Sequence, residues 1–436
     1  MSDDQFDIVI FGAGISGLTL ANISSAQKQK VCVVDQYDHV GGNHISINLN
    51  DYTFDIGSFL FWSDNPQFIE YPELLDVCPE ISLRIQRITP QGTIREYPYE
   101  LKEMLDGGPG YIFKALLGIA TGKIRHAFQK NVHDYTGYYI GEFLKRESGI
   151  DNYIRRFYPI DQRELSIEFA RSRMGWIRSN GSLRRFAASA PRRLLALASK
   201  KSASSSTALV RPVAGFGAYY GPIRDRLEAQ GVQFRLGSPL RAIRKTADGF
   251  EISAGPGTIK ARRIYNTMPI PLISELAGLG PTPGLGTSTL ITLCCSFSGP
   301  RAAPGCILYN FDTRGVWKRL TVHSDFYGER NGRGYMSVEC VCPAAPMTAA
   351  QLFEDFRSHV LERGMFTDDI RLEHTFELTS AYPIHDMNAS SARDAAIGKL
   401  AAFGIGTIGR HGSFDYIPHS TIAIDKATAW LKAQPH

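Results

Sequence analysis

Long apolar runs are missing from this chain. No stretch of roughly 18 consecutive apolar residues occurs, so no membrane-spanning helix is expected. The opening "MSDDQFD" is acidic, not basic and then apolar, so it does not read as a secretory signal. Cysteine is sparse. Seven occur in 436 residues, an odd number, most of them in apolar runs such as "LITLCCSFS". That argues against a disulfide framework and for buried thiols in a reducing compartment. "CVC", ending at Cys342, has no partner pair at zinc-ligand spacing, so no metal site is expected. Charge of one sign is not abundant either: 48 Lys and Arg stand against 43 Asp and Glu, a net +5. No basic run is dense enough for a nucleic-acid partner. Internal repeats are absent. A soluble, cytoplasmic chain is expected. Its 43% hydrophobic content suffices for a large core and more than one domain.

Glycine, by contrast, is placed with a pattern. "FDIVIFGAGISGLTLANISSAQKQKVCVVDQYDHVGGNHIS" reads as strand, Gly-rich turn, helix, strand. Gly12, Gly14 and Gly17 fit G-x-G-x-x-G. The first permits the tight turn, the second lets the backbone approach a pyrophosphate, and the third lets helix pack on strand. The helix from Ser16 onward points its N–H groups and positive dipole end at that pyrophosphate. Asp35 ends the second strand about 20 residues on, where an acid accepts hydrogen bonds from a ribose and disfavours a 2′-phosphate. A second glycine pair, Gly41 and Gly42, follows at once. An ordinary NAD enzyme has no use for it, whereas a large FAD-binding family carries it. The cofactor expected is therefore FAD.

Further on, "RIQRITPQGTIREYPYELKEML" reads as a hairpin turning at Gly92. Apolar positions then recur at helical spacing through "YTGYYIGEFLKRESGIDNYIRRFY" and "ELSIEFARSRMGWIRS". "RRFAASAPRRLLALASKKSASSST" is basic and then Ser/Ala-rich, a flap or loop. Arg184, Arg185, Arg192 and Arg193 give it either a solvated basic face or a membrane-surface contact. α/β order resumes at "PVAGFGAYYGPIRDRLEAQGVQF", and several β-rich runs follow from Thr287 to Cys342. The fold expected is α/β: a Rossmann-type FAD-binding domain with a helical insert and a second, antiparallel-sheet substrate domain. The expected boundaries are 1–110 joined by 210–285 and 395–436 for FAD, 111–209 for the insert, and 286–394 for the substrate domain.

Five blocks then carry a likeness: "FGAGISGL", "VDQYDHVGGN", "VWKRLTVHSDF", "SAYPIHDM" and "IGRHGSFDYIPHS". With them the chain resembles the UDP-galactopyranose mutase branch of the amine-oxidase and protoporphyrinogen-oxidase-like FAD flavoproteins. The resemblance implies that Arg319 grips a nucleotide diphosphate, a task suited to a guanidinium fork. It implies that Tyr382 and Tyr416 reach the same phosphates, with Tyr158 near the family's tryptophan position. Arg178, Arg184 and Arg185 compete for the family's flap arginine. Gly409 would let the backbone approach FAD and Arg410 contact its diphosphate. His419 or Ser420 would start a helix facing the flavin's pyrimidine ring. Ile15, Gln36, Asn43, Ser58, Phe59 and Leu240 complete the expected cofactor contacts. The family's Gly-x-His is replaced in "DIGSFLFWS", and its acid after the last tyrosine falls near Pro418.

The activity so implied is that of a nucleotide-sugar pyranose/furanose mutase. Reduced flavin N5 attacks the anomeric carbon, the nucleotide diphosphate leaves, and no net redox occurs. An external reductant such as NAD(P)H or a flavin reductase would be needed, and a homo-oligomer stays open. The alternative is an FAD oxidoreductase of the amine oxidase, desaturase or dehydrogenase type, with "SFLFW" lining a less polar site. A third reading is a flavin-binding protein without catalysis.

Overall fold

A computed structural model of the chain describes residues 4–99, 101–158, 160–180, 206–341, 347–367 and 369–434. Two seven-stranded sheets organise it. The first is centred on Gln5–Phe11, which runs parallel to Val31–Val34 on one side and Gly257–Asn266 on the other. Val31–Val34 is buried at every position, which explains its unbroken apolar run. Gly257–Asn266 is long enough to serve two neighbours. Its first half pairs antiparallel with Gly249–Ala254 and its last three residues pair parallel with Ile405–Thr407. The C-terminal chain thereby returns to the edge of the Gly-rich loop. The Rossmann-type unit expected from the glycine pattern is present.

The second sheet is ordered Ile370–Pro383, Thr287–Phe297, Gly334–Val341, Arg319–Val322, Ile307–Asn310, Ile85–Ile88, Ile94–Glu96. It is antiparallel except where Ile307–Asn310 runs parallel to Ile85–Ile88. The hairpin around Gly92 thus belongs to this sheet, although it lies early in the chain. Gly334–Val341 is buried along its whole length, because both faces are covered. One face meets helix Ala349–Glu362 through Leu352, Phe356, Val360 and Trp317. The other meets the helical insert through Tyr335, Phe311, Ile154 and Phe169.

The insert holds helices Gly108–Arg125, Val132–Ser148, Ile150–Arg155, Ile167–Arg173 and Gly175–Asn180. The first two pack backbone to backbone. A Cβ on Gly122 would stand 2.2 Å from the Gly137 carbonyl oxygen, and one on Gly141 would stand 2.2 Å from that of Gly118. The basic stretch with Arg184, Arg185, Arg192 and Arg193 lies outside the described residues. The six described cysteines are buried and form no disulfide among the described residues. No helix among the described residues is long and apolar enough to cross a membrane.

Two glycine substitutions separate packing from propensity. A Cβ on Gly17 would sit 1.9 Å from the Gly12 carbonyl oxygen and 3.0 Å from its carbon, backbone atoms that cannot swing aside. Gly17→Ala is expected to destabilise the chain by about 2–4 kcal/mol. Gly398, in helix Ala389–Phe403, has no atom within 4 Å of its added Cβ. Gly398→Ala should stabilise by about 0.5–1 kcal/mol. Urea unfolding of the two variants checks both signs.

Candidate functional site

Three loops converge beyond the C-terminal ends of the central parallel strands, where open α/β sheets bind ligands. Gly12 turns the chain with φ +101, and Gly41 and Gly42 also lie at positive φ. The Gly41 N–H donates to the Ala13 carbonyl (2.8 Å), joining the two glycine loops. Gly14 and Gly42 back onto each other: a Cβ on Gly42 would stand 3.0 Å from Gly14 Cα. The third loop is Gly409–Gly412, with Gly409 set so that a Cβ would meet Ser16 Oγ at 3.1 Å. Asn43 Nδ2 and His411 Nε2 stand 3.5 Å apart, linking the second loop to the third. Ile15 and Ser16 begin helix Ile15–Ala26, whose N-cap is Gly14.

Asp35 is more than a terminal acid. Its Oδ2 accepts the Ala13 N–H (2.6 Å) and its Oδ1 accepts the Tyr37 N–H (3.0 Å). Burial pushes its carboxyl up, and those two N–H groups pull it back. The carboxylate clamps the Gly-rich loop and keeps a second lone-pair direction on each oxygen. Gln36 beside it is exposed. Leu240 opens strand Leu240–Thr246, and the preceding turn is tied back by the Ser238 N–H to the Asp35 carbonyl (2.8 Å). Arg410 donates from Nη2 to the Ile417 carbonyl (2.7 Å), fixing the loop ahead of the last helix. His419 is the N-cap of helix Ser420–Lys432 and makes no side-chain cap bond. Ser420 Oγ accepts from Asn65 Nδ2 (2.6 Å). His44 and His411 are driven down to about 3 and about 4, by burial first and Arg410 second.

The neighbouring part of the site grows from sheet register. Glu339, Arg319 and Tyr309 are direct cross-strand partners on three adjacent strands, so their side chains line one row. Arg319 donates from Nε to Glu339 Oε1 (2.5 Å) and from Nη1 to the Tyr309 hydroxyl (3.2 Å). Lys318 Nζ stands 2.8 Å from Glu339 Oε2 and lies over the rings of Phe157 (4.6 Å) and Tyr382 (4.7 Å). One buried carboxylate thus faces two cations. Burial pushes the Glu339 carboxyl up, but Arg319 and Lys318 outweigh it and the net direction is down. Tyr309 follows the same logic: burial raises it, and Arg319 with Arg173 brings it below its ordinary value.

Arg173 is the residue that sequence reasoning missed. It ends helix Ile167–Arg173 and donates from Nη2 to the Tyr153 hydroxyl (2.7 Å). Its guanidinium lies 5.0 Å from the centre of the Phe157 ring and 5.9 Å from that of Tyr416. Its charge is felt by five tyrosines, Tyr97, Tyr153, Tyr158, Tyr309 and Tyr416. No carboxylate pairs with it among the described residues, and its buried Nε finds no hydrogen-bond partner. The charge alone does not betray it in the sequence, because Arg171 and Arg178 lie close by in the same basic run. Arg178 is exposed on helix Gly175–Asn180, and Arg184 and Arg185 lie outside the described residues.

Tyr382 and Tyr416 come together in one apolar cluster with Phe157, over whose ring lie Arg173 and Lys318. Tyr158 is buried beside them, but its hydroxyl donates to the Pro383 carbonyl (2.8 Å), so it anchors the strand end that carries Tyr382. Ser58 and Phe59 bridge the two halves. Ser58 Oγ is hydrogen-bonded to Thr321 Oγ1. A Cβ on neighbouring Gly57 would lie 3.7 Å from Glu339 Oε1 and 3.8 Å from Arg319 Nη2. The Phe59 ring is 4.5 Å from that of His44, whose Nδ1 is 2.7 Å from the Tyr220 hydroxyl. The site is thus a glycine-lined cradle next to a tyrosine-rich cluster holding three cations against one carboxylate.

A family profile for NAD(P)-binding Rossmann-like domains matches residues 10–78. Over 40 residues the chain is 52% identical to UDP-galactopyranose mutase of Mycoplasma genitalium, a match spanning 9% of this chain and only 10% of that protein. The fold as a whole matches the structure of reduced UDP-galactopyranose mutase with a TM-score of 0.75 at 17% identity, over 98% of this chain and 94% of that one. It also matches a candidate protoporphyrinogen oxidase from Exiguobacterium (TM-score 0.67, 13% identity, 99% of each chain). Putrescine oxidase with bound putrescine matches at 0.61, with 14% identity over 98% of each chain. What these structures share with the chain is the fold. It is the fold carried by that mutase and those two oxidase structures.

Removing the shared carboxylate should expose its role. Glu339→Gln leaves Lys318 and Arg319 buried without a counter-charge, at an expected cost of about 3–5 kcal/mol near neutral pH. Glu339 titrates below its ordinary 4.5 in the folded chain, so its stabilisation is complete above that value and fades as pH falls through the depressed one. The stability gap between wild type and variant should therefore narrow in acid. Denaturant unfolding at several pH values measures it; a gap unchanged by pH would contradict the assignment.

Proposed function

We propose that the chain binds FAD in the glycine-lined cradle and acts on a nucleotide-diphosphate sugar held by Arg173 and Arg319, as a pyranose/furanose mutase-like isomerase. The observation that carries this reading is the charge count of the tyrosine cluster. Among the described residues, Arg173, Lys318 and Arg319 face one acid, Glu339, and Arg173 has no acid of its own. A partly dehydrated, unneutralised guanidinium is a receptor for phosphate oxygens.

The cradle fits the cofactor. A Cβ at Gly12, Gly17, Gly42 or Gly409 would meet neighbouring atoms of the chain, so glycine lets these loops close on one another and leave their backbone open to a ligand. The first N–H groups of helix Ile15–Ala26 would hold the pyrophosphate, Asp35 the ribose, and Arg410 with the N-terminus of helix Ser420–Lys432 the far end. Gln36, Asn43, Ser58, Phe59 and Leu240 would flank it. Bound in reduced form, the flavin supplies a nucleophilic nitrogen; an external reductant would be required to reach that form.

The chain's own residues do the rest. Arg173 and Arg319 hold the diphosphate, so that the charge developing on the leaving group is met by fixed cations. Tyr153, Tyr309, Tyr382 and Tyr416 donate O–H bonds to the remaining phosphate oxygens and cover the site from water. Lys318 stays protonated between Glu339 and two aromatic rings and adds to the same field. Glu339 keeps Arg319 at a fixed angle. No protein acid or base is needed by such a displacement.

A net oxidoreductase is the second reading. The apolar contact of Phe59 with His44, where the mutases carry a histidine, favours it. Against a cationic amine as substrate stand three cations in the adjoining cluster. The two readings part on redox stoichiometry. The reduced protein is given a panel of nucleotide sugars, with ring isomers followed by NMR and oxygen uptake followed in parallel. Ring-isomerised product without proportional oxygen use supports the isomerase; product in proportion to oxygen overturns it.

Arg173→Ala should raise KM for the active nucleotide sugar about 100-fold or more, a loss of ~3 kcal/mol of charge-assisted contact. Its flavin content should be unchanged, as measured by absorbance. Loss of flavin from this variant would place Arg173 in the cofactor site instead.

A further inference from the structure

Of the eleven exposed large apolar side chains among the described residues, five lie on one helix and the turn that follows it. They are Phe113, Leu116, Leu117 and Ile124 on helix Gly108–Arg125, and Phe128 in the turn after it. Phe113 is 68% exposed, Ile124 80% and Phe128 86%, and only Leu116 and Leu117 between them are half-covered. At 100° per residue, Leu116, Ala120, Phe113, Ile124 and Leu117 fall in one stripe about 100° wide. The opposite face is spent. Ala115, Ile119 and Gly122 are buried, and Gly118 and Gly122 seat the helix on Gly137 and Gly141.

The rims of the stripe are basic. Lys114 and Arg125 fall along one edge and Lys123 along the other, with Lys130 in the following turn. No acid occurs from residue 107 to residue 133. The acids that bound this stretch are already engaged, Asp106 with Arg95 and Asp134 with His126. A helix packed on its inner side, apolar on its outer side and edged by lysine and arginine matches an interfacial helix lying in the plane of a bilayer.

We propose that the outer face of helix Gly108–Arg125, continued by Phe128, docks the protein on an anionic lipid surface. Charge selects this occupant over a second copy of the chain. A two-fold contact through this stripe would set Lys114, Lys123 and Arg125 against their own copies, with no acid in the stretch to answer them. Lipid phosphates answer all of them at once. Depth is shallow: the apolar side chains reach the headgroup boundary and the helix does not span.

The test is co-sedimentation of the purified full chain with phosphatidylcholine vesicles, with and without phosphatidylserine, at low and high salt. Binding to the phosphatidylserine vesicles, weakened by salt and small on phosphatidylcholine alone, is expected. Leu117→Glu with Ile124→Glu should abolish it. Lys114→Glu with Arg125→Glu, which keeps the apolar stripe, should weaken it at least about tenfold. All four positions are exposed, so far-UV circular dichroism and the melting temperature should stay as in wild type; both checks accompany the assay. Absence of binding, or equal binding to neutral vesicles, overturns the proposal. So does a dimer in sedimentation velocity that Ile124→Glu dissociates in a chain that ignores vesicles, which would assign the stripe to a second copy.

Discussion

The carboxylate of Glu339 sets the electrostatics of the whole tyrosine cluster. It lies fully inside the second sheet and holds Lys318 on one oxygen and Arg319 on the other. Two buried cations could not stand side by side without it. With it, Arg319 is aimed along the cross-strand row toward Tyr309, and Lys318 is free to lie over Phe157 and Tyr382. Arg173 then arrives from the helical insert, and no acid among the described residues neutralises it. The positive excess is a consequence of strand register plus one helix end, and the proposed grip on a diphosphate rests on that excess.

The same register ties this cluster to the dinucleotide cradle. The loop after strand Tyr52–Asp55 passes beside Arg319 and Glu339 at Gly57, bonds Thr321 through Ser58, and reaches His44 through Phe59. Asn43 and Gly42, next to His44, touch the loops that would hold the pyrophosphate. A ligand in the cradle and an anion at Arg173 would therefore meet across one short loop. His44 and His411 stay neutral there because burial and Arg410 both oppose their protonation.

The cradle was legible in the sequence because its determinants are local. Strand, turn, helix and acid follow within Phe6–Asp35; Gly17 answers to Gly12 and Gly14 to the loop at Gly42, and only Gly12 meets a distant residue, Thr267. The tyrosine cluster was legible only in part. Its members come from residue 97 to residue 416, and nothing in spacing joins Tyr97, Tyr153 and Tyr309 to one another. Arg319, Tyr382 and Tyr416 were found through resemblance. Arg173 was not, because the neighbouring basic residues look alike until the fold buries one of them and leaves Arg178 in solvent. Tyr158 shows the converse: the right side chain in the right place, with its hydroxyl committed to the Pro383 carbonyl. The Gly92 hairpin was read correctly as a hairpin, but only the tertiary pairing of Ile85–Ile88 with Ile307–Asn310 assigns it to the second sheet.

Titration calorimetry with UDP and with uridine is the most direct measurement of the positive cluster. The two ligands differ only by the diphosphate. With Arg173 unneutralised, UDP should bind about 100-fold tighter than uridine, and that advantage should shrink as salt is raised. Equal affinities for the two, or a UDP affinity indifferent to salt, would contradict a diphosphate site built on Arg173 and Arg319.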